Sequence, residues 1–205
     1  MSAPDALTHE KRQAILDAAR NNFAAHGYEG ASMAAITAGA RVSKTTIYHQ
    51  FHCKAELFGA VVGRECERML VHFDTGEQAG PACDVLRAIG RAMIALLVSP
   101  TCLMIDRVVT AEAGAFPELA QAFWAAGPAR GIAQLSGWLQ ARTVAGELCV
   151  PDPDFAAEQF FMLVQAGTVS RARLRLAHPA PEQIAGAVDS AVRVFLAFYA
   201  ERGND

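Results

Sequence analysis

From one end of the chain to the other, apolar residues recur three and four positions apart in alanine-rich segments, and alternating β-branched runs are almost absent. That spacing builds an apolar stripe on a helix and none on a strand, so the chain reads as all-α with no need of a sheet. Breaks fall at Ser99-Pro100, Ala115 to Pro117, Gly127-Pro128, Gly146 to Pro153 and His178 to Pro181. They leave helical segments of about 12 to 20 residues, a usual length for packed helices. With 205 residues, 52% of them hydrophobic, there is ample apolar surface for a buried core.

Local signals divide the first third finely. A first helix is expected from about Thr8, with Ile15, Ala18, Ala19 and Phe23 on its inner stripe and Gly27 as C-cap. Ser32 caps a short second helix with Met33 and Ile36 inward, and Gly39 to Val42 breaks it. Ser43 caps a third, and Val42 with Ile47 has the spacing of a hydrophobic staple. A fourth helix should start at Lys54, with Cys53 as N-cap and Glu56 reaching back as in a capping box. Later, Asp152 before Pro153 marks a strong helix start, and that helix is expected to continue through Phe160, Val164 and Leu174.

Several function classes are excluded by what is missing. The longest apolar run, Ala92 to Val98, is far short of the roughly 20 residues of a membrane span, and the N-terminus has no apolar signal region. A cytoplasmic protein with no membrane partner is expected. Five cysteines at wide spacings, with no CxxC pair, argue against disulfides and structural zinc. There is no GxSxG, HExxH, phosphate-binding glycine loop or paired-carboxylate motif, so neither an enzyme nor a cofactor is expected. A net charge of −3 means that any DNA affinity must come from a local surface.

Such a surface is legible in Ser43-Lys44-Thr45-Thr46-Ile47-Tyr48-His49-Gln50-Phe51, the second helix of a helix-turn-helix at about residues 31–50. Ile47 and Phe51 lie four apart and face inward, while Thr45, Tyr48 and His49 share a solvent face. Lysine, threonine, tyrosine and histidine donate to phosphates or contact base edges. Phe23-Ala-Ala-His-Gly27-Tyr28-Glu-Gly30-Ala-Ser32-Met33, then Ile36, Val42 to Tyr48, Phe51, Lys54 and Leu57-Phe58, resembles the DNA-binding domain of the TetR family of transcriptional regulators. The resemblance implies that Lys44, Thr45 and Tyr48 approach base edges, and that Thr46, His49, Gln50 and Lys54 lie nearer phosphates, with Ser32 and Arg41 also at the DNA. Arg41 stands where the family turn commonly has glycine; a left-handed residue there costs on the order of 1 kcal/mol, which a phosphate contact would offset. Gln50, His52 and Cys53 replace the more usual aromatic, proline and serine.

The remainder, from Phe116-Pro117-Glu118-Leu119 through Trp124 to Gly127-Pro128-Ala129-Arg130 and Ala156 to Phe160, resembles the AcrR/AefR-like regulatory domain of that family. The implied division is residues 8–68 for DNA binding and 69–205 for ligand binding and dimerisation. Met69, Met104, Arg107, Phe123, Trp124, Trp138, Phe161 and Gln165 are the expected lining of an effector pocket. The last helix carries two adjacent apolar stripes, wider than one packing face needs. Leu174, Val188, Val192, Phe195 and Tyr199 are therefore expected in a homodimer interface. The resulting reading is a repressor, binding double-stranded operator DNA and released by a small, largely apolar effector, with the fourth helix as lever; the alternative is a helix-turn-helix protein with no effector.

Overall fold

A computed structural model describes residues 3–74 and 80–200, and the side chains of 9–67 and 80–200. Among the described residues it is built of helices alone, α1(Ala3–Gly30), α2(Met33–Ala40), α3(Lys44–Gln50), α4(Lys54–Asp74), α5(Ala82–Leu97), α6(Pro100–Glu112), α7(Pro117–Ala126), α8(Pro128–Val144), α9(Pro153–Gln165), α10(Val169–Arg173) and α11(Pro181–Tyr199). A single antiparallel bridge joins Leu148 and Ala200. The proline and glycine breaks fall between helices because proline opens a helix at its first turn and cannot continue one. No single described helix is long and apolar enough to cross a membrane.

The helices form two compact units. One comprises Met1–Glu65 with Met104–Gly127, the other Cys66–Leu103 with Pro128–Asp205. Thus α6 from Met104 onward and α7, which follow α5 in sequence, pack with the N-terminal helices.

In the first unit, Ile15, Ala19 and Phe23 of α1 are fully buried and Leu16 joins them. Phe23 and Phe58 meet edge to face with centroids 5.1 Å apart, and Tyr28 stands against Phe58 at 5.9 Å and Phe116 at 5.4 Å. Each such ring pair adds about 0.5–1.5 kcal/mol beyond area burial. Burial pushes the Tyr28 phenol up to about 12, and the Glu118 carboxylate adds to the shift. The first helix runs through Thr8 rather than starting there, since Pro4 is tolerated in a first turn.

The second unit packs α5, α8, α9 and α11 around Leu86, Ile89, Leu139, Phe160 and Phe195. At Gly90 a Cβ would stand 3.1 Å from Val188 and 3.4 Å from Val164. The missing side chain lets α5, α9 and α11 approach closely. Asp152 accepts from the Phe155 N–H at 3.1 Å, the expected cap. That helix stops at Gln165, however, and does not reach Leu174. Gly167 takes a left-handed φ of 75°, a conformation that suits glycine and ends helices, and only the short α10 follows.

The same packing corrects two dimer-interface expectations. Val188 and Val192 are buried in the unit's own core, because α11 uses its wide apolar band on α5 and α9. Phe195 and Tyr199 are also nearly covered within the protomer, with the Tyr199 hydroxyl 2.5 Å from Gln159 Oε1. Leu174 is exposed but lies beyond α10. What α9 and α11 leave outward is a different set: Phe155, Met162, Val194 and Phe198, all more than half exposed. They line a groove of about 600 Å³ together with Leu163 and two of the expected interface residues, Phe195 and Tyr199, which form its floor.

Candidate nucleic-acid interface

Helices α2 and α3 are fixed at both of their starts by serine. Ser32 Oγ accepts from the Ala35 N–H at 3.1 Å, and Ser43 Oγ from the Thr46 N–H at 3.0 Å. Each cap satisfies an amide that the helix itself cannot, worth about 1 kcal/mol. Between them Arg41 adopts φ 55° and ψ 39°, and its N–H returns to the carbonyls of Ala38 and Thr37. The tight turn therefore requires the left-handed state with a side chain that disfavours it. Arg41→Gly is expected to raise unfolding free energy by about 1 kcal/mol while lowering operator affinity; urea melts and DNA titrations of the same sample read the two opposite signs.

Ile47 and Phe51 are buried and anchor α3, and the Arg12 guanidinium lies 4.8 Å from the Phe51 ring centre. The opposite face is open. Lys44, Thr45, Tyr48 and His49 are exposed, Tyr48 by 42%. The Lys44 ammonium sits 5.8 Å from the Tyr48 ring centre, so a cation and a phenol share one side of the helix. Thr46 lies with Arg41 and Ser43 along a groove of about 510 Å³ that Glu10 and Lys11 also line. Gln50 is only half-exposed, and its Oε1 is buried.

Lys54 has another use than the expected phosphate contact. Its Nζ donates to the carbonyls of Tyr28, Glu29 and Ala31 at 2.5, 3.2 and 3.1 Å and lies 4.5 Å from the Tyr28 ring centre. Three carbonyls use all the hydrogens an ammonium has, so Lys54 closes the end of α1. At the start of α4, Glu56 Oε2 accepts from the His52 N–H at 2.7 Å, one residue earlier than a capping box requires. That backbone hydrogen bond holds the Glu56 carboxyl below its usual value. Cys53 is exposed and offers no oxygen to the amides of the first turn. Cys53→Ser should stabilise the fold by about 0.5–1 kcal/mol, measured as a higher denaturant midpoint at unchanged slope; no gain would mean that α4 is capped by other groups.

The expected effector residues are divided between the units. Met104, Arg107, Phe123 and Trp124 belong to the first, with Arg107 and Trp124 exposed. Trp138, Phe161 and Gln165 belong to the second, where the two aromatics are core residues and Gln165 Nε2 donates to the Phe161 carbonyl at 2.9 Å. The Met69 side chain lies outside the described residues. None of the other seven lines the α9–α11 groove. The groove residues Phe155, Val194 and Phe198 were missed because their sequence signal, apolar residues recurring at helical spacing, equals that of core positions.

A capped, anchored α3 presenting an open polar face, joined by a tight turn to α2, defines a helix-turn-helix DNA-binding protein with a second, helical unit. Residues 15–61 match the bacterial regulatory proteins of the tetR family, and residues 84–201 match the C-terminal domain of AefR-like transcriptional repressors. The chain belongs to the TetR family of transcriptional regulators. It is 40% identical over 62 residues to the HTH-type transcriptional regulator UidR of Escherichia coli, covering 30% of this chain and 32% of UidR. Over 58 residues it is 41% identical to the HTH-type transcriptional repressor AcnR of Corynebacterium efficiens, covering 28% of this chain and 31% of AcnR. The matched stretch thus spans about a third of the length of these relatives. A TetR-family regulator from Mesorhizobium loti has a similar structure, with TM-score 0.80, 27% identity and coverage of 95% of this chain and 98% of that one. The flavonoid-responsive regulator FrrA superposes with TM-score 0.75 at 28% identity over 94% of this chain and 98% of its own.

Proposed function

We propose that the chain is a cytoplasmic repressor that binds a pseudo-palindromic operator as a homodimer and leaves it when a small, largely apolar molecule binds. In this reading residues 8–68 read the DNA and residues 69–205 sense the effector and dimerise. The observation that carries it is the open face of α3, where Lys44, Thr45, Tyr48 and His49 stand free of the core while Ile47 and Phe51 hold the helix. Two such helices related by a two-fold axis read half-sites about 10 bp apart. The α9–α11 face, with Phe155, Met162, Val194 and Phe198, is the surface a second copy covers; an apolar patch of this kind is costly to leave in water.

An effector is supported by two buried polar atoms one turn apart on α8. Gln134 Oε1 and Trp138 Nε1 have no hydrogen-bond partner, so an acceptor and a donor await a molecule that offers both. Release requires only that the effector bind the DNA-incompetent state more tightly, by a few kcal/mol. FrrA, of similar fold, is a flavonoid-responsive regulator, and a flavonoid is the natural first compound to try. The packed environment of Trp138 and Phe161 in the core favours the second reading, a DNA-binding protein without an effector.

Fluorescence anisotropy of the purified protein on its own upstream DNA tests the proposal. Tight, salt-sensitive binding, reversed by an added flavonoid, is the expected outcome. Binding that no apolar compound reverses would favour the effector-independent reading. A folded dimer with no preference for any genomic fragment over random DNA would overturn both.

A further inference from the structure

The last turn of α1, set off by the non-helical Gly27 and leading into the helix-turn-helix, is gripped from two sides by opposite charges. The backbone N–H groups of Tyr28 and Glu29 donate to the two carboxylate oxygens of Glu112, at 2.8 and 2.6 Å. The carbonyls of Tyr28, Glu29 and Ala31 accept from Lys54. One anion takes two donors and one cation three acceptors of the stretch from Tyr28 to Ala31. Gly27 makes this geometry available: its φ is 71°, and a Cβ there would run into Glu112 Oε1.

Neither charge is placed for the good of its own helix. Lys54 opens α4 and Glu112 closes α6, so each faces the end of the helix dipole that disfavours it. Their bonds to the turn are what offsets that cost. Moreover, α4 and α6 are helices whose residues pass from one compact unit to the other, α4 after Glu65 and α6 at Met104. Each spends its charged terminus on residues 28–31.

We infer that Glu112 is a positioning residue for operator binding. Its carboxylate holds the Tyr28–Glu29 backbone, Lys54 holds the same backbone from its other side, and Ser32, next in the chain, caps α2. The direction in which α2 and α3 leave α1 is thereby fixed by a residue 84 positions from Tyr28 in sequence, one that touches no DNA. The inference rests on the operator-binding reading above.

Charge and geometry give opposite expectations, which makes the test sharp. Removing an acid from a DNA-binding unit would, by Coulomb's law alone, strengthen DNA binding. Loss of a positioning bond weakens it. In the full-length protein, Glu112→Ala is expected to speed hydrogen exchange at the Tyr28 and Glu29 amides at least about tenfold and to weaken operator binding about tenfold, with an unchanged slope of affinity against salt. Glu112→Gln, which keeps one acceptor oxygen, should fall between, and it carries the test should the alanine variant fail to fold. Exchange at the Ile47 amide, inside α3, reports whether the helix itself survives. Faster exchange at Tyr28 and Glu29 with operator affinity unchanged or raised would overturn the inference, as would unchanged exchange at both amides. Absence of operator binding by the wild type would instead strike the operator-binding reading, while the amide exchange still reports the grip of Glu112 on the turn.

Discussion

Tyr48→Ala is expected to weaken operator binding by about 30- to 1000-fold, and Lys44→Ala by a similar factor. A single good base or charged phosphate contact is worth about 1–3 kcal/mol. A two-fold complex loses it twice, so a contact in the lower to middle part of that range removes about 2–4 kcal/mol from the total. The two variants separate by their salt dependence. Lys44, if it neutralises a phosphate, should take about one unit per half-site from the slope of log affinity against log salt, while Tyr48 should leave it nearly unchanged. Both side chains are exposed on α3, away from the buried Ile47 and Phe51, so unfolding midpoints should stay within about 0.5 kcal/mol of wild type. Anisotropy titrations at three salt concentrations check the result. Wild-type affinity in both variants would mean that α3 does not read DNA through this face.

Phe198→Asp is expected to convert the dimer to a monomer at micromolar concentration. Phe198 is 71% exposed in the protomer and lies beside Val194, Phe155 and Met162. Burial of one phenylalanine contributes about 1.5–3 kcal/mol, and symmetry doubles it. The carboxylates would add the desolvation of two unpaired charges. Together these exceed about 4 kcal/mol, or about a thousandfold in dissociation constant. The protomer should lose little, since its core holds Phe195, Val188 and Val192 rather than Phe198. Val192→Asp is the contrast: it places a charge in that core and should unfold the chain. Sedimentation velocity together with a thermal melt distinguishes the two. A Phe198→Asp dimer as tight as wild type would move the interface off the α9–α11 face.

The capped helix α3 and its open face were legible from local sequence because each of their determinants is local. Serine caps act within three residues, the inward pair Ile47 and Phe51 is one turn apart, and the positive φ of Arg41 follows from a short turn between two caps. The long-range pairings were not legible. Lys54 reads as a charge at a helix start until Tyr28, Glu29 and Ala31 are seen to present their carbonyls to it. Glu112 gave one faint signal, an acid at the wrong end of a helix, without naming its partner.

By itself the sequence determined an all-helical chain, the places where helices break, the family and the face of α3 that looks outward, since periodicity, caps and breakers act over a few residues. Only the tertiary structure decided which apolar stripe of α11 is spent inside the protomer. Val188 and Val194 have the same side-chain chemistry and lie on the same helix, yet the close approach allowed by Gly90 buries the first and leaves the second in water. Burial is a property of what packs against a residue, and that partner lies about a hundred residues away in the chain.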